Sequence, residues 1–188
     1  MSDQPTRIDR FLARTILWMI PRRVTPNHVT VARFFATPIV LYLVLTGVYT
    51  WGLFAFLLVA FTDAIDGALA RTRGQVTDWG RMYDPLADKL LIGSMVFGVV
   101  VRELDLTLGL SIITVELAIV MLAWYGRMRG RTVQANHWGK VKMALEVTGV
   151  TILLLSLAFG IPQALPFSRA TFVLALVFAL VSFVTYGI

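Results

Sequence analysis

Four aspartates lie in the first half of the chain at spacings that suit metal binding or acid–base chemistry. Asp63 and Asp66 are three residues apart, and Asp84 and Asp88 are four residues apart. On an α-helix either spacing places both side chains on one face, with Cβ atoms about 5–6 Å apart. All four lie in or beside long apolar segments, where an aspartate costs roughly 2.5–3.5 kcal/mol on insertion scales. Two divalent cations, held between two helices, would supply the compensating charge.

The composition indicates what kind of protein carries these carboxylates. Of the 188 residues, 57% are hydrophobic, and several apolar runs approach the length of a bilayer-spanning helix. The chain has no cysteine, which excludes disulfide and thiol chemistry. Its net charge is +6, but the basic residues flank apolar spans. Anionic lipids and phosphate-bearing ligands are therefore favoured as partners over nucleic acid.

The hydrophobic pattern predicts an all-α, polytopic membrane bundle that forms a single domain over residues 1–188. Residues 6–20 combine apolar positions at helical spacing with arginines, which is typical of an amphipathic helix in the membrane interface. This helix and a linker occupy residues 1–26, and a bundle of six transmembrane helices occupies residues 27–188. The six predicted spans cover about 27–47, 51–70, 79–101, 106–125 and 138–160, with a last span that ends near residue 186.

The distribution of basic residues predicts the orientation of this bundle. With six spans, both termini share one side with the loops between spans two and three and between spans four and five. Of the 17 Lys and Arg residues, all but Arg102 and Arg169 fall on or near that side. The positive-inside rule makes this side cytoplasmic in a multi-pass protein of the cell membrane. The four aspartates would then lie near the cytoplasmic mouth, where a charged substrate can reach them.

The complete pattern is Asp-x2-Asp-Gly-x2-Ala-Arg-x8-Gly-x3-Asp-x3-Asp, from Asp63 to Asp88. It resembles the signature of the CDP-alcohol phosphotransferase family, with every specified position present. The resemblance implies that Asp63, Asp66 and Asp84 bind metal, and that Asp88 contacts a metal and acts as the general base. It also implies two Mg²⁺ ions per site, with Mn²⁺ as the alternative, and a homodimer.

A second group of residues is predicted to bind the nucleotide. Gly67 leaves space for a ligand beside the helix, and Arg71 can hold a diphosphate through two hydrogen bonds. The family resemblance implies that these two residues and Thr77 contact the cytidine nucleotide. Polar residues also recur every third position at the start of the first span, where a helix cap with a snorkelling arginine is the alternative. The predicted nucleotide and CDP-lipid residues are Asn27, Thr30, Arg33, Gly67, Ala70, Arg71, Thr77 and Gly80.

The residues that would bind the acceptor alcohol are less sharply defined. The run Gly139-Lys140-Val141-Lys142 resembles a segment of bacterial phosphatidylglycerophosphate synthases, a group within that family. Arg127, Lys140 and Lys142 are therefore predicted to bind an acceptor phosphate, although cytoplasmic flanking charge also explains such residues. Those synthases usually carry an Arg-Glu pair in the fourth span, where this chain has Val115-Glu116.

These observations favour an enzyme that transfers a phosphatidyl group from CDP-diacylglycerol to glycerol 3-phosphate and releases CMP. The first alternative is the same reaction with another acceptor, such as inositol phosphate or a different alcohol. The alternative from another class is a divalent-cation transporter whose pathway is the acidic cluster. That reading leaves the glycines and Arg71 of the motif unexplained.

Overall fold

Long apolar segments fold as helices because backbone polar groups within a bilayer must be hydrogen-bonded internally. The computed structural model describes residues 9, 13–21, 24–75, 78–129 and 137–186, and these ranges contain helices and no strand. The long helices are α1 Pro26–Leu45, α2 Tyr49–Arg73, α3 Asp78–Met95, α4 Leu106–Met128, α5 His137–Phe159 and α6 Leu165–Tyr186. A π-helical segment, Val96–Leu104, continues α3, and short 3₁₀ turns occupy Leu17–Met19 and Pro162–Ala164.

The helix ends follow from local sequence. Pro26 occupies the first position of α1, where its missing N–H would have no intrahelical partner. The backbone N–H of Thr25 donates to Nδ1 of His28 at 3.3 Å, which fixes the entry into this helix. At the C-terminal end of α2, Gly74 adopts φ 62° and ends the helix in the left-handed conformation that glycine tolerates. The chain can therefore reverse between α2 and α3, the two helices that carry the aspartates.

The all-helical membrane class is confirmed, and the span count is confirmed in part. Within the described residues, five helices are long and apolar enough to cross a membrane. The predicted span 79–101 is occupied by α3 and its π-helical continuation, and the charged residues of α3 keep it out of that group of five. Together the two segments cover residues 78–104, which at 1.5 Å per residue span about 40 Å. The helix that carries Asp84 and Asp88 is thus the least apolar of the six long helices.

One hydrophobic cluster joins all six helices. Phe56 of α2, Met95 of α3, Leu153 of α5 and Phe172 of α6 are completely buried within it. The pair α5 and α6 packs closely at Gly149, where an added Cβ would lie only 2.9 Å from a ring carbon of Phe172. Large apolar side chains also cover the outer surface of the bundle, as expected for a surface in contact with lipid. The interior cluster fixes the relative positions of α1, α2 and α3 around the site.

The N-terminal segment packs against the end of α2. The predicted interfacial helix covers 6–20, of which residues 6–8 and 10–12 lie outside the described residues. In the described part, residues 13–15 are helical and the 3₁₀ turn follows. Leu17 is buried against Ala68 and Leu69, whereas Trp18 and Met19 are exposed. The segment thus has one face on the protein and one apolar face outward, a pattern that suits the membrane interface.

Candidate active site

Three of the four predicted aspartates converge on one guanidinium group. Arg33 of α1 donates to Asp63 Oδ1 at 3.0 Å and to Asp66 Oδ2 at 2.5 Å, and it also pairs with Asp88 of α3. The Arg33 side chain has no exposed surface, and Asp66 is almost fully buried. Asp63 is 42% exposed, so the cluster is open to solvent on that side. Charged groups of α1, α2 and α3 therefore meet in one partly enclosed site.

The local sequence explains this convergence. The three-residue spacing on α2 places Asp63 and Asp66 on one face, and that face is directed at α1. The hydroxyl of Thr62 accepts a further hydrogen bond from Nε of Arg33 at 3.4 Å. The same hydroxyl donates to the carbonyl of Val59 at 2.6 Å. Arg33 is thereby held at its Nε and at both terminal nitrogens.

The donor set of this cluster fits a hard divalent cation. Among the described contacts, three carboxylates surround a single guanidinium in a partly buried site. Carboxylate oxygens from two helices are the ligands that Mg²⁺ and Mn²⁺ prefer. The described side chains include no group of three or more His, Asp or Glu already arranged to hold an ion, because Arg33 lies between the carboxylates. The Asp84 backbone lies one turn before Asp88 on α3, and its side chain is outside the described part of the structure.

The residues predicted at the start of α1 make contacts within the protein. Thr30 is buried and donates to the carbonyl of Pro26 at 3.3 Å. Arg33 faces the carboxylates described above, so it holds the acidic cluster in this structure. Asn27 occupies the second position of α1. Nucleotide contact by Asn27, Thr30 and Arg33 stays a prediction, and their placement beside Asp63 and Asp66 is compatible with it.

The glycine and arginine of the motif are in direct contact with each other. A Cβ added to Gly67 would lie 3.1 Å from Nη2 and 3.3 Å from Nη1 of Arg71, one turn further along α2. The glycine therefore leaves room for this guanidinium, where the sequence predicted room for a ligand. Ala70 is half-buried on the same helix, and Gly80 lies in the first turn of α3. Thr77 lies outside the described residues.

The residue that pairs with Arg71 was not predicted from the sequence. Asp9 accepts two hydrogen bonds from Arg71, at 2.8 Å from Nε and 2.8 Å from Nη2, and it is nearly completely buried. The available signal was weak: before Asp63 the chain has only Asp3 and Asp9 as acidic residues, within an otherwise basic segment. An isolated carboxylate in such a segment needs a cation, and the partner lies on α2.

The predicted acceptor residues are divided between two environments. Lys142 of α5 is buried and pairs with Glu116 of α4, and its Nζ lies 3.6 Å from Glu146 Oε2. Lys140 is exposed in the first turn of α5. Arg127 lies on α4, and its side chain is outside the described part of the structure. Phosphate binding by these three residues stays a prediction, and for Lys142 the observed partners are carboxylates.

We expect Lys142→Met to destabilise the bundle. Methionine fills a similar volume but leaves Glu116 and Glu146 facing each other without their shared cation. Removing one partner of a buried ion pair typically lowers the free energy of unfolding by about 3–5 kcal/mol. Denaturant titration in detergent micelles would measure the loss. Adding Glu146→Gln to the variant should recover part of it.

Lys140→Met is the matched control, because the same side-chain change occurs at an exposed position of the same helix. Its unfolding midpoint should stay within the range of ordinary surface substitutions, about 0.5 kcal/mol. Equal stability of Lys142→Met and Lys140→Met would show that the Lys142 pairs do not support the fold.

The fold and site together define a class of protein: a helical membrane protein with an acidic cluster and two paired arginines at the meeting point of three helices. The chain belongs to the CDP-alcohol phosphatidyltransferase family, whose model matches residues 23–184, and it is therefore a transferase. This membership confirms the resemblance found in the sequence.

Two of the most similar relatives are named CDP-diacylglycerol–glycerol-3-phosphate 3-phosphatidyltransferase. The protein from Bacillus subtilis is 30% identical over 177 residues, which cover 84% of this chain and 90% of that protein. The protein from Rickettsia felis is 31% identical over 134 residues, or 69% of this chain and 74% of that protein. A third relative, from Streptomyces coelicolor, is named a CMP-forming cardiolipin synthase and is 31% identical over 140 residues, or 70% of this chain and 65% of that protein.

Proposed function

We propose that this transferase moves a phosphatidyl group from CDP-diacylglycerol to glycerol 3-phosphate and releases CMP. The observation that carries the proposal is the convergence of Asp63, Asp66 and Asp88 around Arg33 within a family of CDP-alcohol phosphatidyltransferases. The names of the relatives from Bacillus subtilis and Rickettsia felis support glycerol 3-phosphate as the acceptor.

In this proposal the aspartates have two kinds of role. Asp63, Asp66, Asp84 and Asp88 hold two Mg²⁺ ions, or Mn²⁺ in their place, which would neutralise the diphosphate and make the phosphorus easier to attack. Asp88 takes the proton from the acceptor hydroxyl while the oxygen of that hydroxyl forms a bond to the phosphorus that bears the lipid. The bond from that phosphorus to the CMP oxygen breaks, and CMP leaves with the electron pair. In this proposal Arg71 and Arg33 would bind phosphate oxygens near this centre.

The proposal extends to the setting of the reaction. The basic loops favour an orientation with both termini and the active site on the cytoplasmic side of the cell membrane. A water-soluble acceptor would enter from that side. A homodimer is proposed from the family resemblance.

The acceptor is the part of the proposal with a competing candidate. Relatives named as two different enzymes, a glycerol-3-phosphate phosphatidyltransferase and a cardiolipin synthase, match this chain at nearly equal identity. In addition, Val115 stands where an arginine is expected beside Glu116. We expect glycerol 3-phosphate to give the highest rate of CMP release when the purified enzyme is supplied with CDP-diacylglycerol and one acceptor at a time. Inositol phosphate, phosphatidylglycerol and free glycerol complete the panel. Product formed only with another acceptor would refute the assignment of glycerol 3-phosphate. Phosphatidyl transfer would still be the proposed reaction.

A divalent-cation transporter remains the candidate from another class, since it also accounts for carboxylates in a membrane. A fixed arginine within the carboxylate cluster opposes it, because a positive charge in the pathway repels cations. Proteoliposomes loaded with a metal-sensitive dye distinguish the two functions. We expect CMP release without metal flux.

A further inference from the structure

The N-terminal segment is fastened to the end of α2 by Arg73. Its guanidinium donates to the carbonyls of Leu17 at 3.0 Å and Ile20 at 2.7 Å, with longer contacts to those of Pro21 and Val24. Burial of Leu17 against α2 adds an apolar contact beside these hydrogen bonds. The segment is thus attached at its C-terminal end by backbone contacts that depend on its local conformation.

A second contact joins the segment to the motif itself. The carboxylate of Asp9 binds the Nε and Nη2 edge of Arg71 through two hydrogen bonds of 2.8 Å. Only 3% of the Asp9 side chain and 24% of the Arg71 side chain are exposed. A bidentate pair shielded from water in this way fixes the plane of the guanidinium as well as its position. Gly67 contributes by leaving space for the group against α2.

Arg71 retains one terminal nitrogen for other ligands. Within the described part of the chain its hydrogen bonds come from Nε and Nη2, and Nη1 donates to no protein group. Arg71 follows Asp66 by five residues on α2, a rise of about 7.5 Å along the helix axis. A diphosphate bound at that cluster would lie near Arg71, whose guanidinium is already oriented by Asp9.

We propose that Asp9 is a positioning residue that orients Arg71 for the diphosphate of the cytidine nucleotide. The inference rests on the proposed function and adds a residue from outside the family motif. Holding an arginine side chain in one conformation removes rotamer entropy before the ligand arrives, and this preorganisation improves affinity. It also couples docking of the N-terminal segment to nucleotide binding, because the carboxylate that orients Arg71 belongs to that segment.

The substitution Asp9→Asn tests this role in the full-length protein. The amide keeps the shape but replaces one acceptor oxygen with an N–H₂ group, which cannot accept from Arg71. We expect the Kd for CDP, measured by titration calorimetry with Mg²⁺ present, to rise about tenfold, a loss equivalent to about 1.4 kcal/mol. The KM for CDP-diacylglycerol should rise in parallel, whereas kcat should change little, because Asp9 does not contact the reacting atoms.

Three further variants separate positioning from a general structural effect. Asp9→Glu keeps the charge and should recover part of the affinity. In an Arg71→Lys background, which lacks the planar fork, Asp9→Asn should cause little additional loss of CDP affinity. Trp18→Phe changes an exposed residue of the same segment and should bind CDP as the wild type does.

The outcomes are distinct. If wild-type protein neither binds CDP nor releases CMP, the proposed function fails. If wild-type protein binds CDP and Asp9→Asn, with an unchanged melting temperature, binds it equally well, only the positioning role fails. Tighter binding by Asp9→Asn would overturn the inference in the opposite sense, because Asp9 would then compete with the nucleotide for Arg71. If Asp9→Asn does not fold, Asp9→Glu takes its place: it should raise the Kd for CDP by less than tenfold with Arg71 present and leave it unchanged in the Arg71→Lys background. The same change in Kd in both backgrounds, or no change in either, would overturn the inference.

Discussion

Asp88→Asn should reduce kcat for CMP release by about 10²–10⁴-fold, the contribution typical of a general base. Asparagine cannot take the proton of the acceptor hydroxyl at neutral pH. Its side-chain oxygen can still accept a hydrogen bond from Arg33, so the contact between α1 and α3 is retained in weakened form. We therefore expect the melting temperature and the Kd for CDP to stay close to the wild-type values. A radiolabelled CDP-diacylglycerol assay measures the rate, and calorimetry measures the affinity.

Asp105→Asn provides the control for this prediction. Asp105 caps the start of α4 by accepting from the N–H of Leu108 at 2.9 Å, and it pairs with Arg169. It follows Asp88 by 17 residues along a helical path of roughly 25 Å, so it lies far from the cluster. Its turnover should match the wild type. Normal turnover by Asp88→Asn would refute the role as base, and equal losses of rate and CDP affinity would indicate a binding role.

The sequence predicted the architecture well because its signals were local. Apolar length determined the helices, and Pro26 and Gly74 lie at helix ends where their backbone preferences place them. The spacing of Asp63 and Asp66 predicted one shared helix face, and the structure places both against Arg33. A composition rule alone would have missed α3 as a possible membrane helix, since this helix carries Asp84, Asp88 and further charged residues.

The partners of the arginines could not be predicted in the same way. Arg33 was expected to face a nucleotide, and it pairs with carboxylates that follow it by 30 residues or more. Such contacts depend on helix packing, which periodicity does not specify. The pair between Asp9 and Arg71 spans 62 residues, and no spacing rule connects an interfacial segment with a membrane helix. The residue types of a site can therefore be predicted from the sequence, whereas the ion-pair partners of those residues depend on tertiary structure.

Arg33→Gln should strongly destabilise the protein in the presence of EDTA. The substitution removes the cation that Asp63, Asp66 and Asp88 share, while Asp66 remains buried. Loss of one partner from a buried ion pair typically lowers the free energy of unfolding by about 3–5 kcal/mol. Denaturant titration in detergent micelles with EDTA measures this change. Arg169→Gln is the matched control, because that arginine is exposed and pairs with one carboxylate at 2.7 Å, so its loss should change stability by less than about 1 kcal/mol.

The same variant distinguishes a metal site from a purely structural ion-pair cluster. In the wild type a divalent cation must compete with the guanidinium for oxygens of Asp63, Asp66 and Asp88, whereas in Arg33→Gln that competitor is gone. Ligand binding stabilises a fold by RT ln(1 + [L]/Kd), so a tighter site gives a larger stabilisation at the same Mg²⁺ or Mn²⁺ concentration. Titrating either ion should therefore raise the melting temperature of Arg33→Gln more than that of the wild type or of Arg169→Gln. If all three proteins respond equally, the cations do not bind where Arg33 lies, and the carboxylates would then serve only as partners of that arginine.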